Sequence, residues 1–195
     1  MSEKTDQKRA LILECARKVF AQKGYRAVTM KDIVEASNIS RGGLYLYFSS
    51  VEEVFLAVLD HDEKKTDTEV EKELLQEATN VEMLLWFLKL QKKELLQKKD
   101  SLLMAKHEYA FACREQGRAS FFKKEHKKAL LVLEKILERG VGNGEFACFD
   151  ASYEAENIML AIDGMKLLAC TMGIGEKKID NEFLYMMQRI VVEEE

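Results

Sequence analysis

Apolar residues along the chain recur at the three- and four-residue spacing of helices rather than at the alternation of strands. In the first segment Ile12, Ala16, Val19 and Phe20 share one stripe, and Gly24 follows in the usual position of a left-handed C-terminal cap. No proline interrupts these stripes in 195 residues, although average usage is about 5%. The pattern predicts an all-α chain of about nine helices.

The N-terminal fifty residues contain the signals of a helix-turn-helix motif. Thr29, followed by Asp32 three residues later, has the spacing of a capping box, and Ser40 is placed to cap the next helix. We therefore predict helices over 29–37 and 40–48 that are joined by a tight turn.

The second of these helices has two faces of different character. Leu44 and Phe48 lie one turn apart and are expected to anchor it to the core, and small Ala36 lets the preceding helix approach. The opposite face suits DNA, because glycines admit base edges, leucine contacts a thymine methyl, arginine pairs with guanine and tyrosines reach phosphates. With the cap, this set is Ser40, Arg41, Gly42, Gly43, Tyr45, Leu46 and Tyr47. A helical corner that contacts no nucleic acid would show the same pattern.

Longer helices follow the motif. The first of them connects an N-terminal head, residues 1–50, to a body, residues 51–195, and glycine-rich segments separate the last three. We place these helices at 50–77, 80–99, 101–117, 119–139, 151–172 and 180–192.

Charge is distributed unevenly between the head and the body. Residues 1–50 hold nine basic and five acidic side chains, a net charge of +4. The remaining 145 residues hold 21 basic and 29 acidic side chains, a net charge of −8. This asymmetry favours contact between the head and nucleic acid, whereas chance variation over a solvated surface explains it equally well.

The body has more apolar surface than a single helix stripe provides. Helix 80–99 begins with a run that is apolar all round, and methionines of helix 151–172 add adaptable surface. We expect a cavity for a small hydrophobic ligand, although a plain packed core explains each residue as well. The candidates are Met83, Trp86, Phe87, Leu103, Met104, His107, Phe111, Met159 and Met165.

Helix 151–172 is apolar on nearly all sides, so one of its faces needs a partner outside the chain's own core. Pairing this helix and helix 180–192 with their twofold mates gives a four-helix dimer interface. The expected interface residues are Leu160, Ala161, Gly164, Leu167, Leu168, Phe183, Met187 and Ile190.

Residue types that carry out chemistry are scattered. The four cysteines form no C-x-x-C pair, the three histidines lack metal-ligand spacing, and no phosphate loop or nucleophile elbow is present. We expect no catalytic residue, metal or cofactor, and a protein that is not an enzyme. The N-terminus has no secretory apolar region, and the longest apolar run, 83–88, is far shorter than the ~20 residues of a membrane span. A cytoplasmic location without membrane contact is therefore expected.

Three segments within residues 8–60 have a specific spacing. They read Ala16-x3-Phe20-x3-Gly24-Tyr25, then Thr29-x3-Ile33, then Ser40-Arg41-Gly42-x-Leu44-Tyr45-x-Tyr47-Phe48. This run resembles the TetR family of bacterial transcriptional regulators. The resemblance implies a three-helix DNA-binding head, a helical body that binds an effector and dimerises, and a homodimer that is released from operator DNA by a small molecule.

The resemblance also implies phosphate contacts at two helix starts. Thr29 and Lys31 supply them at the first helix of the motif. Family members usually have lysine where this chain has Val51, so backbone N–H groups with Ser49 and Ser50 are left to hold the second phosphate.

Three classes of function fit these observations. A repressor of a near-palindromic operator, released by a small hydrophobic effector, is favoured. The alternative is a helical interaction module whose head contacts protein instead of DNA. A helical-bundle enzyme is a third class, and no catalytic constellation supports it. DNA binding separates the first class from the other two.

Overall fold

Over residues 3–73, 78–97, 101–118 and 121–192, which the computed structural model describes, the chain forms nine α-helices and no β-strand. The predicted all-α fold is therefore confirmed. Within these ranges, no helix combines the length and the apolar composition needed to cross a bilayer. The helices are α1 (Glu3–Lys23), α2 (Met30–Ser37), α3 (Arg41–Tyr45), α4 (Val51–Glu73), α5 (Asn80–Leu96), α6 (Leu103–Glu115), α7 (Phe121–Gly142), α8 (Ala151–Thr171) and α9 (Glu176–Ile190).

The chain folds into two compact units. The first consists of Met1–Glu73 and Lys99–Gly117 and contains α1 to α4 together with α6. The second consists of Leu74–Lys98 and Arg118–Glu195 and contains α5 and α7 to α9. The functional division at residue 50 stays a prediction.

Aromatic side chains hold the first unit together. The Phe55 ring of α4 lies 4.8 Å from Phe20 of α1 and 5.3 Å from Tyr109 of α6, between ring centroids. Tyr25, in the turn after α1, lies 5.1 Å from Phe55 and 4.9 Å from Tyr109. Tilted and edge-on contacts of this kind contribute about 0.5–1.5 kcal/mol each beyond buried area. The cluster joins α1, α4 and α6 around one centre.

The predicted stop and start signals around α2 are present. Gly24 has a φ of +75° after α1, and Asn38 ends α2 with a φ of 51°. Thr29 and Asp32 form the complete capping box. One prediction is wrong: Ala36 is exposed, and Ser37 is buried in its place. The Ser37 hydroxyl donates to the carbonyl oxygen of Ile33 at 2.6 Å, so this polar side chain enters the core without an unsatisfied group.

Several helix boundaries differ from the predicted ones, and α6 spans Leu103–Glu115 instead of 101–117. Helix α3 ends at Tyr45 because the chain tightens there, with the Tyr47 N–H donating to the carbonyl oxygen of Leu44 at 2.9 Å. Helix α7 continues through Gly140 to Gly142 instead of ending at 139. Helix α9 begins at Glu176 instead of 180. Parts of the predicted helices 50–77, 80–99 and 119–139 lie outside the described residues.

In the second unit, the segment that follows α7 pairs with the end of α9. Phe146 and Val191 form an isolated antiparallel bridge, and the Ala147 N–H donates to the carbonyl oxygen of Ile190 at 2.7 Å. The Glu145 carboxylate accepts from the Asn80 side chain at 2.6 Å and from the Val81 N–H at 3.1 Å. The segment after α7 therefore supports the start of α5 and the end of α9.

The packing of Phe146 explains why α7 contains a glycine at position 140. A Cβ built on Gly140 would lie 2.0 Å from the Phe146 ring, whereas a Cβ on Gly142 would meet no atom within 4 Å. We predict that Gly140→Ala destabilises the protein by about 1–3 kcal/mol through overpacking. Gly142→Ala, the matched control, is expected to be neutral or stabilising by up to about 1 kcal/mol, since alanine favours helix. Urea denaturation measures both, and equal effects would contradict the packing argument.

Candidate nucleic-acid interface

Helix α3 is anchored from behind by two buried residues. Leu44 and Phe48 are almost completely buried, as predicted. The Arg9 guanidinium of α1 lies 5.4 Å from the centre of the Phe48 ring. At the start of the helix the Ser40 hydroxyl accepts from the Gly43 N–H at 3.1 Å. A helix of five residues has little stability of its own, so these contacts fix its orientation.

Several residues of the α3 segment away from these two anchors are exposed. Leu46 is 85% exposed and Tyr45 is 44% exposed. Nothing lies within 4 Å of a Cβ built on Gly42. Gly43 is half-buried, and a Cβ there would lie 3.0 Å from the Ser40 hydroxyl, so this glycine also serves the cap. Gly42, Tyr45 and Leu46 are thus exposed, and the shared contact with DNA that the sequence indicates stays a prediction.

Two further polar side chains, Arg41 and Tyr47, belong to the predicted DNA contacts. The guanidinium carbon of Arg41 lies 5.6 Å from the centre of the Tyr45 ring, so the arginine is held over an aromatic face while its donors stay exposed. Tyr47 is half-buried on the other side. An exposed guanidinium beside glycine backbone is the combination that pairs with a guanine edge.

At the start of α2, donors of the N-cap residue are already bonded to a carboxylate of the same helix. The N–H and hydroxyl of Thr29 both donate to Asp32 Oδ2, at 2.8 and 2.7 Å. The Lys23 ammonium, 2.5 Å from Asp32 Oδ1, and these Thr29 bonds hold the pKa of the Asp32 carboxyl well below its usual range. Lys31 is exposed and lies 3.7 Å from Glu35 across one turn. Its ammonium is therefore accessible beside the helix start.

The start of α4 shows the same arrangement. The N–H and hydroxyl of Ser49 donate to Glu53 Oε2 at 2.7 and 2.8 Å, and the Ser50 hydroxyl accepts from the Glu53 N–H at 3.1 Å. These Ser49 bonds lower the pKa of the Glu53 carboxyl. The site expected to hold a phosphate therefore holds an oxyanion of the protein itself. Val51, which is half-buried, adds no charge there.

Helix α6 grips the turn that precedes α2. Glu108 Oε2 accepts from the backbone N–H groups of Tyr25 at 2.7 Å and Arg26 at 2.9 Å. The Arg26 guanidinium donates to Glu115 at 2.6 Å. A Cβ on Gly24 would lie 2.5 Å from Glu108 Oε2, so glycine is needed for this approach as well as for its φ. Sequence reasoning missed Glu108, because no local spacing links it to a turn 82 residues earlier.

A second contact from α6 reaches the start of α4. The buried Tyr109 hydroxyl donates to Glu52 Oε1 at 2.8 Å. Burial, together with this hydrogen bond, raises the pKa of the Tyr109 hydroxyl. Tyr109 therefore stays protonated and neutral, and it remains a donor to the first turn of α4.

The predicted pocket residues of α6 have different environments. Leu103 is buried, and His107 is half-buried with its Nδ1 2.8 Å from the Leu103 carbonyl oxygen. Met104 and Phe111 are exposed. This local hydrogen bond fits a structural role for His107 in the packed core, which the sequence left open beside a role in ligand binding.

The other predicted pocket residues belong to the second unit. Phe87, Met159 and Met165 are buried in its core, and Met83 packs against that core. Trp86 is half-buried. The proposed gathering of these residues with those of α6 in one cavity stays a prediction.

The predicted dimer residues of α8 form an exposed stripe. Leu160 is 66% exposed, and Ala161, Gly164 and Leu167 are also exposed, while Leu168 is half-buried. A Cβ on Gly164 would meet no atom within 4 Å. This face has the small and apolar residues that close helix packing needs.

On α9 the structure places several predicted interface residues differently. Phe183 and Ile190 are buried in the core of their own unit, and Met187 packs beside them. Leu184 and Tyr185 are exposed on the other side of the helix. The face of α9 that is available to a partner is thus not the one that the sequence indicated.

Two family models match the chain. The model described as "Bacterial regulatory proteins, tetR family" covers residues 12–58. The model described as "Tetracyclin repressor-like, C-terminal domain" covers residues 83–180, about half of the chain.

Curated relatives and solved structures agree with these matches. The uncharacterized HTH-type transcriptional regulator YfiR of Bacillus subtilis is 34% identical over 149 residues, 74% of this chain and 70% of the relative. The HTH-type transcriptional regulator TtgR of Pseudomonas putida is 29% identical over 84% of this chain and 80% of its own length. A putative regulator of Saccharomonospora viridis in complex with choline shares the fold, with a TM-score of 0.82 and 20% identity over 96% of this chain and 100% of the other.

The contact from Glu108 predicts a difference between two acids of α6. Glu108→Ala removes the acceptor of two backbone N–H groups and is expected to destabilise the first unit by about 1–3 kcal/mol. Glu115→Ala is the matched control, since its exposed pair with Arg26 contributes less than about 1 kcal/mol. Urea unfolding of both variants tests this order, and a larger loss for Glu115→Ala would show the assignment to be wrong.

Proposed function

Because the chain belongs to the TetR family of bacterial regulatory proteins, we propose that this helix-turn-helix transcriptional regulator is a repressor. It binds a near-palindromic operator as a homodimer, and a small hydrophobic effector releases it. Members of this family are transcriptional regulators and not enzymes. No catalytic role is assigned to any residue of this chain.

The observation that carries the proposal is the exposed face of α3. An arginine, an open glycine and an 85% exposed leucine occur together on a helix that two buried residues hold from behind. Arg41 pairs with guanine O6 and N7, Leu46 contacts a thymine methyl, and Gly42 admits the base edges. Such a surface costs stability in water and is explained by contact with a groove.

The phosphate contacts follow from the two helix starts. The N-termini of α2 and α4 each attract an anion through backbone N–H groups and the helix dipole. DNA phosphates near Thr29 and Ser49 compete with Asp32 and Glu53 for the same donors. Lys31 contributes its charge beside α2, where its exposed ammonium lies 3.7 Å from Glu35. The affinity for DNA therefore depends on how readily phosphates displace these two carboxylates from the donors.

Two features support a dimer: the short recognition helix of the head and the exposed stripe of α8. A recognition helix of five residues buries too little surface for tight specific binding alone. Two such helices, about 34 Å apart, read successive half-sites on one side of the duplex. The exposed stripe of α8, which includes Leu160 and Gly164, supplies a self-complementary surface for the twofold contact.

Effector release is supported by the position of α6. This helix contains Leu103 and His107 of the predicted pocket, and it also holds the turn before α2 through Glu108. An effector that shifts α6 therefore moves the head that α6 grips. The choline complex of the Saccharomonospora viridis regulator supports an effector of small size.

The interaction module remains as a second class of function and is not favoured. It rested on Val51 in place of the family lysine and on the few base-reading residues. The exposed α3 face and the family match both favour DNA as the partner of the head.

The proposal predicts DNA binding with a steep dependence on salt. A dimer that contacts about six to ten phosphates loses a thousandfold or more in affinity between 50 and 200 mM salt, because bound counterions are released. A gel-shift series on DNA upstream of the protein's own gene measures this, with the same duplex carrying scrambled half-sites as control. Absent binding, or binding that salt does not change, would falsify the proposal.

Two residues of the α3 region are predicted to act differently. Arg41→Ala should cost about 1–3 kcal/mol on the preferred operator and relax sequence preference, because a base contact is lost. Tyr47→Phe should weaken binding evenly across sequences, because it removes a phosphate contact only. Binding of each variant to a library of single base-pair changes separates the two effects. Identical profiles for both variants would refute the assignment.

A further inference from the structure

The outward side of α7 is a cationic surface that the proposed function does not use. Lysines lie around two exposed aliphatic residues, Leu131 at 46% and Val132 at 45% exposure. Together they line a shallow depression of about 390 Å³. This surface, named here the α7 lysine face, consists of Lys124, Lys127, Lys128, Leu131, Val132 and Lys135.

The charge of this helix is opposite to that of the body around it. Between residues 123 and 139 six basic side chains are exposed, against one exposed acid, Glu138, and two half-buried acids, Glu125 and Glu134. The chain from residue 51 onward has a net charge of −8. An occupant of the α7 lysine face must therefore be anionic, and it must offer apolar groups to cover the two aliphatic residues.

The positions along the helix define the shape of that occupant. Lys128 and Lys135 lie one turn before and one turn after both Leu131 and Val132, so charges bracket an apolar centre. From Lys124 to Lys135 the face is about 17 Å long at 1.5 Å per residue. A helix of about three turns, with apolar residues flanked by carboxylates, matches this length and pattern.

Other occupants fit less well. A second copy of α7 in a twofold contact would bring lysines against lysines, which is repulsive. The described residues that line the depression all belong to one helix, so they do not enclose a small ligand as binding pockets do. Nucleic acid phosphates would leave Leu131 and Val132 uncovered. A membrane surface favours a broader apolar face than these two side chains provide.

We propose that the α7 lysine face docks an acidic amphipathic helix of another protein. Aliphatic side chains of that helix pack on Leu131 and Val132, and its carboxylates pair with the surrounding lysines. The docking is separate from operator binding, because it uses no residue of the head.

The test uses a synthetic peptide of about two heptads, enough to cover the three-turn face, with leucine at a and d and glutamate at e and g. Its binding to the full-length protein is followed by fluorescence anisotropy. The expected result is micromolar affinity that falls about tenfold at high salt. A control peptide with glutamine in place of glutamate should bind at least tenfold more weakly.

Variants of the protein locate the site. Lys128→Glu with Lys135→Glu should abolish peptide binding, and Leu131→Ser with Val132→Ser should weaken it at least tenfold. Lys177→Glu with Lys178→Glu changes the charge equally at exposed positions of α9 and should have no effect. Circular dichroism checks that each variant is folded, and operator binding should stay unchanged.

Several results would overturn the proposal. These are no binding of the acidic peptide, equal loss in the α9 control variant, or no effect of the serine substitutions. Phosphatidylglycerol vesicles and a non-operator duplex are measured in parallel. If either binds in a way that Lys128→Glu with Lys135→Glu abolishes, while the peptide does not bind, the face serves a lipid surface or nucleic acid and the proposed occupant is wrong.

Discussion

The arrangement of the head depends on one carboxylate that binds two backbone N–H groups. Glu108 of α6 accepts from Tyr25 and Arg26 just after Gly24, where the chain turns from α1 toward α2. Tyr25 is half-buried and Arg26 is exposed, so the bond to the Tyr25 N–H is the one that water replaces least easily. The same contact excludes a side chain at position 24. Helix α6 is therefore part of the framework that sets the direction of α2 and α3.

A second constraint is the use of internal acids at helix starts. Asp32, Glu53 and Glu145 each accept bonds from donors at or near the beginning of a helix. At α5 this bond only holds the fold together. At α2 and α4 the same chemistry lies where a duplex is expected, so the free protein already contains a substitute for phosphate. The head is thus preorganised for anions but does not bind them without exchange.

The sequence predicted the parts of the structure that local rules determine. Capping pairs and helical spacing located α2 and α3 and identified Leu44 and Phe48 as anchors. Tertiary packing decided the rest: Ser37 is buried instead of Ala36, and Phe183 and Ile190 face the core of their own unit. Glu108 could not be found, because its partners are 82 and 83 residues away. Gly140 indicated a helix end in the sequence, but it lies within α7, where the absence of a side chain makes room for the Phe146 ring.

The empty space beside Gly42 has a consequence for how operator preference can change over time. No atom lies within 4 Å of a Cβ at this position, and the anchors of α3 are on its other side. Replacement by serine, asparagine or glutamine would gain about 0.5 kcal/mol or less of helix propensity. It would also add a base-reading group. Gene duplicates could therefore diverge toward new operators through this position without a loss of stability that later substitutions must repair.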